Sequence, residues 1–291
     1  MFRDPSYLAE MAINGVLAGG VYALIAVGMT VVFGVLKLFN FGHGAFVTIG
    51  LYCGVVAASA GIDPYYAIAA AAILLAVIGV ALYYAAIDRV IRAAPLTQVI
   101  FTIGMMTALE ALIEIGWRAD PRVAPSALSG ELFFGDVMVS QPRLIAFCAS
   151  ILLTAAFWAF LRWSWWGLAI QAVAQNPQAA QLIGIPRKQA LAIAFTLATV
   201  AAGLAGLLIA PSLTVTPYAG HVFLGIAFGA VVIGTKGNVF GALIGGLIVG
   251  LAESFAVAAF GDDWKEAVIF GLVLVFLLVK PEGLFAGRAH A

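Results

Sequence analysis

Charge is what this sequence has least of. Of its 291 residues, 10% are Asp, Glu, Lys or Arg and 64% are hydrophobic. A soluble domain carries about 25% charged residues, so a water-facing globule of this length is excluded. The charges present cancel, and no basic surface is left for nucleic acid. Cysteine is nearly absent. Cys53 and Cys148 each sit inside an apolar run, which excludes a disulfide framework and any zinc spacing. Both read as small packing residues. Histidine is also scarce: His43, His221 and His290 are scattered, and no His-Glu-x-x-His pattern joins them. An intramembrane metal or acid–base enzyme, which would have to gather His43, Glu110, Glu114 and Glu253, finds no supporting spacing. The chain also lacks a Gly-x-x-x-x-Gly-Lys-[Ser/Thr] phosphate loop, so any ATP that drives it must bind another polypeptide.

What is abundant is unbroken apolar sequence. Glu10 and Lys37 are separated by about 26 uncharged residues, where a helix needs about 20 to cross the hydrocarbon core. From Lys188 to Lys236 the run is broken only by His221 and is long enough for two crossings. The mixed-charge start, Met1-Phe2-Arg3-Asp4-Pro5, precedes a run too long for a signal-peptide core, so the first span is expected to insert and stay. The pattern predicts an all-α polytopic membrane protein of about eight or nine transmembrane helices, with broken helices and an inverted repeat. The expected segments are 11–36, 39–60, 65–87, 95–117, 143–161, 189–210, 222–235, 238–260 and 264–280. The seventh is short and is expected to be broken or re-entrant.

Lys and Arg set the expected orientation. Arg89 and Arg92, then Arg162, Arg187 and Lys188, then Lys280 and Arg288 fall on one side, joined by Lys37 and Lys236. That side is the cytoplasm by the positive-inside rule, with the N-terminus outside and the C-terminus inside. Asp262 and Asp263 fall outside. The 118–142 loop, with Arg118, Asp120, Arg122, Glu131 and Asp136, falls outside against the rule, but its charges nearly balance. Gly15, Gly19 and Gly20 in the first segment, and Gly241, Gly245, Gly246 and Gly250 in the eighth, predict close helix packing. Phe39-Asn40-Phe41-Gly42-His43-Gly44 and Gly237-Asn238-Val239-Phe240-Gly241 are similar helix starts that interrupt apolar runs. Paired interruptions point to a repeat-built transporter.

The stretch 162–189 is too rich in amides to cross, with Gln171, Gln175, Asn176, Gln178 and Gln181. It predicts a short helix Pro177–Ile183, with Asn176 as N-cap, Pro177 at the first position, Gly184 as the left-handed stop and Pro186 beyond. Small Ala174, Ala179 and Ala180 permit close docking against another protein. Ala172 through Ile185, Ala-rich, Asn-centred and ending in Gly-Ile, resembles the cytoplasmic coupling loop of branched-chain amino acid ABC importer permeases. Asn14-Gly15-Val16 through Tyr22-Ala23-Leu24, Gly28-Met29, Phe33-Gly34 and Asn40 to Gly44 resemble the first two spans of the smaller, H-type permease, and Gly225 to Gly250 agrees.

The resemblance covers nearly the whole chain, one permease domain over 1–291. It implies a multi-pass subunit of the bacterial inner membrane, surrounded by lipid, that pairs with a second homologous permease. Two cytoplasmic P-loop ATPases and a periplasmic substrate-binding protein complete the assembly. No cofactor is implied on this chain, because ATP and magnesium belong to the ATPases. Alternating access is the implied mechanism, with Gln175, Asn176, Pro177, Ala179, Ala180 and Gly184 touching the ATPase. Candidates for the translocation path are Asn40, His43 and Gly44 at a helix break, Thr97 and Gln98 on a polar face shared with Thr102 and Thr107, and Glu253 inside a span. Glu110 and Glu114, four apart near the outer end of their segment, are expected to be satisfied by water or Arg118. A stand-alone secondary transporter or channel is the alternative. It would need an intramembrane charge set, of which Glu253 is the best member.

Overall fold

The computed structural model describes residues 5–134, 137–280 and 282–285. Arg3, Asp4, Asp136, Arg288 and His290 lie outside the described residues. In chain order the elements are α1 (Pro5–Val31, continued by a π turn, Val32–Leu36), α2 (His43–Ser59), α3 (Ile68–Leu82, between a 3-10 turn at Pro64–Ala67 and a π turn at Tyr83–Ile87) and α4 (Asp88–Val90). Then come α5 (Pro95–Trp117), the hairpin β1 (Glu131–Phe134) and β2 (Val137–Ser140), α6 (Gln141–Trp163), α7 (Trp165–Gln175) and α8 (Pro177–Leu182). The chain continues through α9 (Arg187–Ile209), α10 (Gly220–Gly234), α11 (Val239–Phe260) and α12 (Lys265–Val279). Each of the nine expected apolar segments meets a helix. Among the described residues six helical stretches are long and apolar enough to cross a membrane, while α2 and α10 are shorter apolar helices.

The core lies where α1 and α9 cross. α9 is gripped by α2 and α3, α1 by α10 and α11, and α1 touches α9. Exchanging α1 with α9, α2 with α10 and α3 with α11 keeps these neighbours but not the rest, because α10 packs along α11 while α2 barely touches α3. The sequence reading matched the starts of α2 and α11. The side chains at those two starts do different work. Asn238 Oδ1 caps α11 by accepting the Gly241 amide at 3.1 Å. Asn40 is buried, caps nothing, and has no side-chain partner among the described residues.

Close packing depends on glycine where backbones meet. Gly15 and Gly19 lie against Leu251 and Leu247, and Gly246 and Gly250 face back onto Ala23 and Gly19, which closes the α1–α11 seam. A methyl group at Gly50 of α2 would sit 2.8 Å from the Gly203 Cα of α9. Gly241 and Gly245 serve a different face, against Gly234 and Ala230 of α10.

The lead into α2 dips into the protein. Lys37 takes a left-handed conformation (φ 53°) and reverses the chain. Six residues later the His43 ring nitrogen Nε2 lies 3.0 Å from the Ile25 carbonyl. Ile25 is eleven residues before Leu36, about 16 Å back along the helix at 1.5 Å per residue. α2 therefore begins well inside the bundle, not at its surface as the expected start at 39 implied. Its first turn meets that of α10, with Gly44 packed on Gly220. Irregular backbone at this depth is tolerated because protein surrounds it. The Thr102 hydroxyl of α5 donates to the Phe39 carbonyl at 3.0 Å, and the His43 amide donates to Asn40 at 3.2 Å.

One face of the bundle gathers Lys37, Arg89, Arg92, Arg162, Arg187 and Lys188. The Lys188 ammonium bonds Asp88 at 2.9 Å. The α10–α11 turn joins this face, where the Gly237 amide donates to the Thr30 hydroxyl at 2.9 Å. The segment after α12 returns here too, its Leu284 amide donating to Ile233 at 2.9 Å. On the opposite face, Arg122 and Val215 exchange backbone hydrogen bonds at 2.9 and 2.8 Å. There Asp63 caps the turn into α3 through the Tyr65 amide and accepts the Ser126 hydroxyl at 2.6 Å and the Ala127 amide at 2.9 Å. Partial burial by itself raises the Asp63 pKa. The three donors outweigh it and hold the carboxyl below its ordinary value.

Candidate functional site

The short-helix loop forms as its residues dictate. Ser164 caps α7 by accepting the Gly167 amide at 2.9 Å. Asn176 then ends α7 and begins α8, its Oδ1 accepting the amides of Gln178 at 3.1 Å and Ala179 at 3.0 Å. Pro177 fills the first helical position. At the far end Gly184 adopts φ +86°. Its amide bonds Gln181, and the Ile185 amide reaches back to Ala180, both at 3.0 Å. This double closure is a Schellman stop. α8 ends at Leu182, one residue short of the expected Ile183.

The loop is held from inside. Gly167, Ala169, Ile170 and Val173 of α7 are buried, and the Gln171 amide donates to the Leu161 carbonyl at 2.5 Å. Ala180 is 2% exposed, so it seats the loop on its own chain and offers nothing outward. Gln175, Asn176, Ala179 and Gly184 are exposed, and Pro177 is half-buried. The most exposed apolar side chains of the loop are Leu182 at 88% and Ile183 at 76%. The residue list drawn from the sequence omitted both. Their signal was an apolar pair beside a glycine stop, in a stretch otherwise marked by amides.

The path candidates fall in three places. Asn40, His43 and Gly44 form one buried cluster at the α2 start. Thr97 and Gln98 lie at the basic end of α5, Thr97 exposed and Gln98 buried. The Gln98 amide donates to the carbonyls of Ile91 at 3.2 Å and Ala93 at 3.1 Å, so it braces the turn before α5. Thr102 is buried and Thr107 exposed, so these four residues do not share a face. Glu253 lines a cavity of about 760 Å³ between α1, α6, α10 and α11 that opens on the face opposite the loop. Asn14, Tyr22, Arg143, Phe223 and Lys265 line it as well.

Glu110 and Glu114 take protein partners that the sequence reading did not name. Glu110 pairs with His221 at 3.1 Å, and Glu114 accepts the Tyr218 hydroxyl at 2.8 Å. Neither uses Arg118. Both partners lie more than a hundred residues away, at the entry to α10, and no local rule reaches them. Among the described residues no group of three or more His, Cys, Asp or Glu could hold a metal ion.

The chain is 31% identical to the LivH high-affinity branched-chain amino acid permease protein of Salmonella typhimurium, over 96% of this chain and 95% of that one. The BraD permease protein of Pseudomonas aeruginosa matches with the same identity and coverage. A probable LivH permease of Methanocaldococcus jannaschii is 24% identical over 94% of this chain and 92% of its own length. Residues 11–278 match the family described as branched-chain amino acid transport system, permease component, and this multi-pass membrane chain belongs to that family.

Proposed function

We propose that this chain is one permease half of a binding-protein-dependent importer of branched-chain amino acids, seated in the bacterial inner membrane. Its basic face lies in the cytoplasm, as the positive-inside rule directs. That puts the N-terminus outside and the C-terminus inside. A second, homologous permease pairs with it, and a periplasmic binding protein delivers solute to the opposite face. Two ATPases dock below, and they alone bind ATP and magnesium. The observation that carries the reading is the α7–α8 loop, which exposes Leu182 and Ile183 on a capped turn directly ahead of α9.

α9 is also the helix that the other segments grip, touching α1, α2, α3 and α6. A push on the loop therefore moves the crossing of the two halves. Lys188 ties the start of α9 to Asp88 at the start of α4, directly after the π turn that ends α3, and so brings α3 into the same movement. Gln175, Asn176, Pro177, Ala179 and Gly184 shape the docking turn, and Ala180 anchors it. The solute route runs from the outer cavity, past Glu253, to the buried junction at Asn40, His43 and Gly44, with Thr97 and Gln98 near its cytoplasmic exit.

The test is affinity purification of the tagged protein from its native membrane in mild detergent, alongside Leu182→Asp/Ile183→Asp. Wild type is expected to bring down a P-loop ATPase and a second permease, and to support ATP-driven leucine uptake in proteoliposomes with its binding protein. The double variant is expected to retain the permease and lose the ATPase. Wild-type chain that purifies alone and moves solute without an ATPase sinks the proposal.

A further inference from the structure

The outer cavity holds an acidic group with an open acceptor position. Glu253 sits in the second half of α11, and its Oε2 is buried with no hydrogen-bond partner among the described residues. Tyr22, itself 6% exposed, faces the carboxyl from the middle of α1. Among the described residues neither cation that lines the cavity pairs with Glu253, and the carboxylates Glu10 and Asp262 line it too. Arg143 donates to Asn14 at 3.2 Å, and Lys265 pairs with Asp262 at 3.2 Å. Both stand in the first turns of their helices, toward the mouth. A carboxylate within a membrane span is costly unless a cation or hydrogen-bond donor meets it. Around it the walls are apolar, with Val21, Phe223, Ile226 and Val257. A cavity of this size is within the ordinary range for small-ligand sites, roughly 300–1,000 Å³.

We propose that Glu253 and Tyr22 form an amine-binding subsite inside this one chain, which takes the α-ammonium group of an aliphatic amino acid. The ligand's ammonium occupies the open Glu253 position. Its carboxylate points outward to Arg143 and Lys265, and its side chain lies against Val21, Phe223 and Ile226. The ligand class rests on the importer reading. A buried acceptor, apolar walls and a mouth that carries both signs of charge (Arg143 and Lys265 beside Glu10 and Asp262) suit a short zwitterion.

The test is protection of an introduced cysteine. Cys53 and Cys148 are both free and are replaced by alanine. Val257→Cys then reports on the cavity through a membrane-impermeant maleimide. The protein is used as the complex co-purified from its own membrane, held in nanodiscs without binding protein. Leucine is expected to slow labelling about fivefold when its concentration exceeds Kd about fourfold. Its α-hydroxy analogue, 2-hydroxy-4-methylpentanoate, is expected to protect less than twofold under the same occupancy relation. Glu253→Gln is expected to abolish the leucine protection while Val257→Cys remains reactive, and Glu253→Asp to restore part of it.

Equal protection by both ligands, full protection in Glu253→Gln, or a Val257→Cys that never labels each overturns the subsite. ATP-driven uptake is measured separately on the same preparation. Uptake without leucine protection removes the subsite and spares the importer reading. Protection without any ATP-driven uptake does the reverse.

Discussion

Gly50→Ala isolates the contact on which the α2–α9 pairing depends. The added methyl carbon would lie 2.5 Å from the Gly203 carbonyl carbon and 2.8 Å from its Cα. Carbon atoms settle at about 3.5–4.0 Å, so the two helices must part by about 1 Å. The Gly203 carbonyl oxygen lies closer still, all three obstacles are backbone, and no side-chain rotation relieves them. Overpacking costs typically 1–3 kcal/mol, and this site belongs at about 3. The separation also reaches the far end of α2, because Gly206 packs on Val47 one turn away and His43 must hold the Ile25 carbonyl across α1.

The matched control is Gly104→Ala on α5, where a methyl would meet nothing within 4 Å. There the change only removes glycine's excess backbone freedom, a gain of about 0.5–1 kcal/mol. Thermal melts of the detergent-solubilised protein, read by loss of the monodisperse size-exclusion peak, separate the two. Gly50→Ala is expected to melt lower by on the order of 5 °C, and Gly104→Ala at or above wild type. If both variants melt with wild type, the backbone contact between α2 and α9 is not there, and the reasoning fails with it.

Asn176→Ala removes the cap that orients α8 and is expected to cost about 1 kcal/mol of local order. Hydrogen exchange at the amides of Gln178 and Ala179 should rise while α9 stays protected. His43→Ala leaves the inner end of α2 without its tie to Ile25, at a cost of about 1–3 kcal/mol. His43→Gln, whose amide can donate to the same carbonyl, is expected to melt between that variant and wild type. Asp63 has a lowered pKa in the folded state, so its contribution is present above the unfolded carboxylate value of about 3.9 and is lost as pH falls through the folded value. Exchange at the Tyr65 and Ala127 amides is therefore expected to be faster in Asp63→Asn than in wild type at pH 7. The two should converge once the wild-type carboxyl is protonated.

The crossings were legible because hydrocarbon imposes one rule on every residue, and all nine apolar runs became helices. The loop was legible for another reason. Capping is local: Asn176, Pro177 and Gly184 each act within a few residues of themselves. What could not be read depends on distance. Nothing near Phe39 announces that its carbonyl will meet Thr102, so the start of α2 was placed too early. Glu110 finds His221, and Glu114 finds Tyr218, only once the entry to α10 comes beside α5. The strands β1 and β2 lie in a stretch read only as a loop of mixed charge. Their pairing, Glu131 with Ser140 through Phe134 with Val137, is too short to leave a clear alternation. Asn40 and Asn238 misled because the same letters cap one helix and precede another.

The meeting of α2 and α10 inside the bundle has an electrical consequence. Each helix carries the equivalent of about half a positive charge at its N-terminal end, from peptide dipoles that add along the axis. Neither helix places an acidic residue in its first turn. Gly44 and Gly220 let the two ends touch, so both fields fall on the same small region deep in the protein. The Glu110 carboxylate, held 3.1 Å from His221 in the first turn of α10, lies in that field and offsets it on the α10 side. The first turn of α2 carries no counter-charge of its own, so that end favours the negatively charged part of any group that reaches Gly44 over a cation.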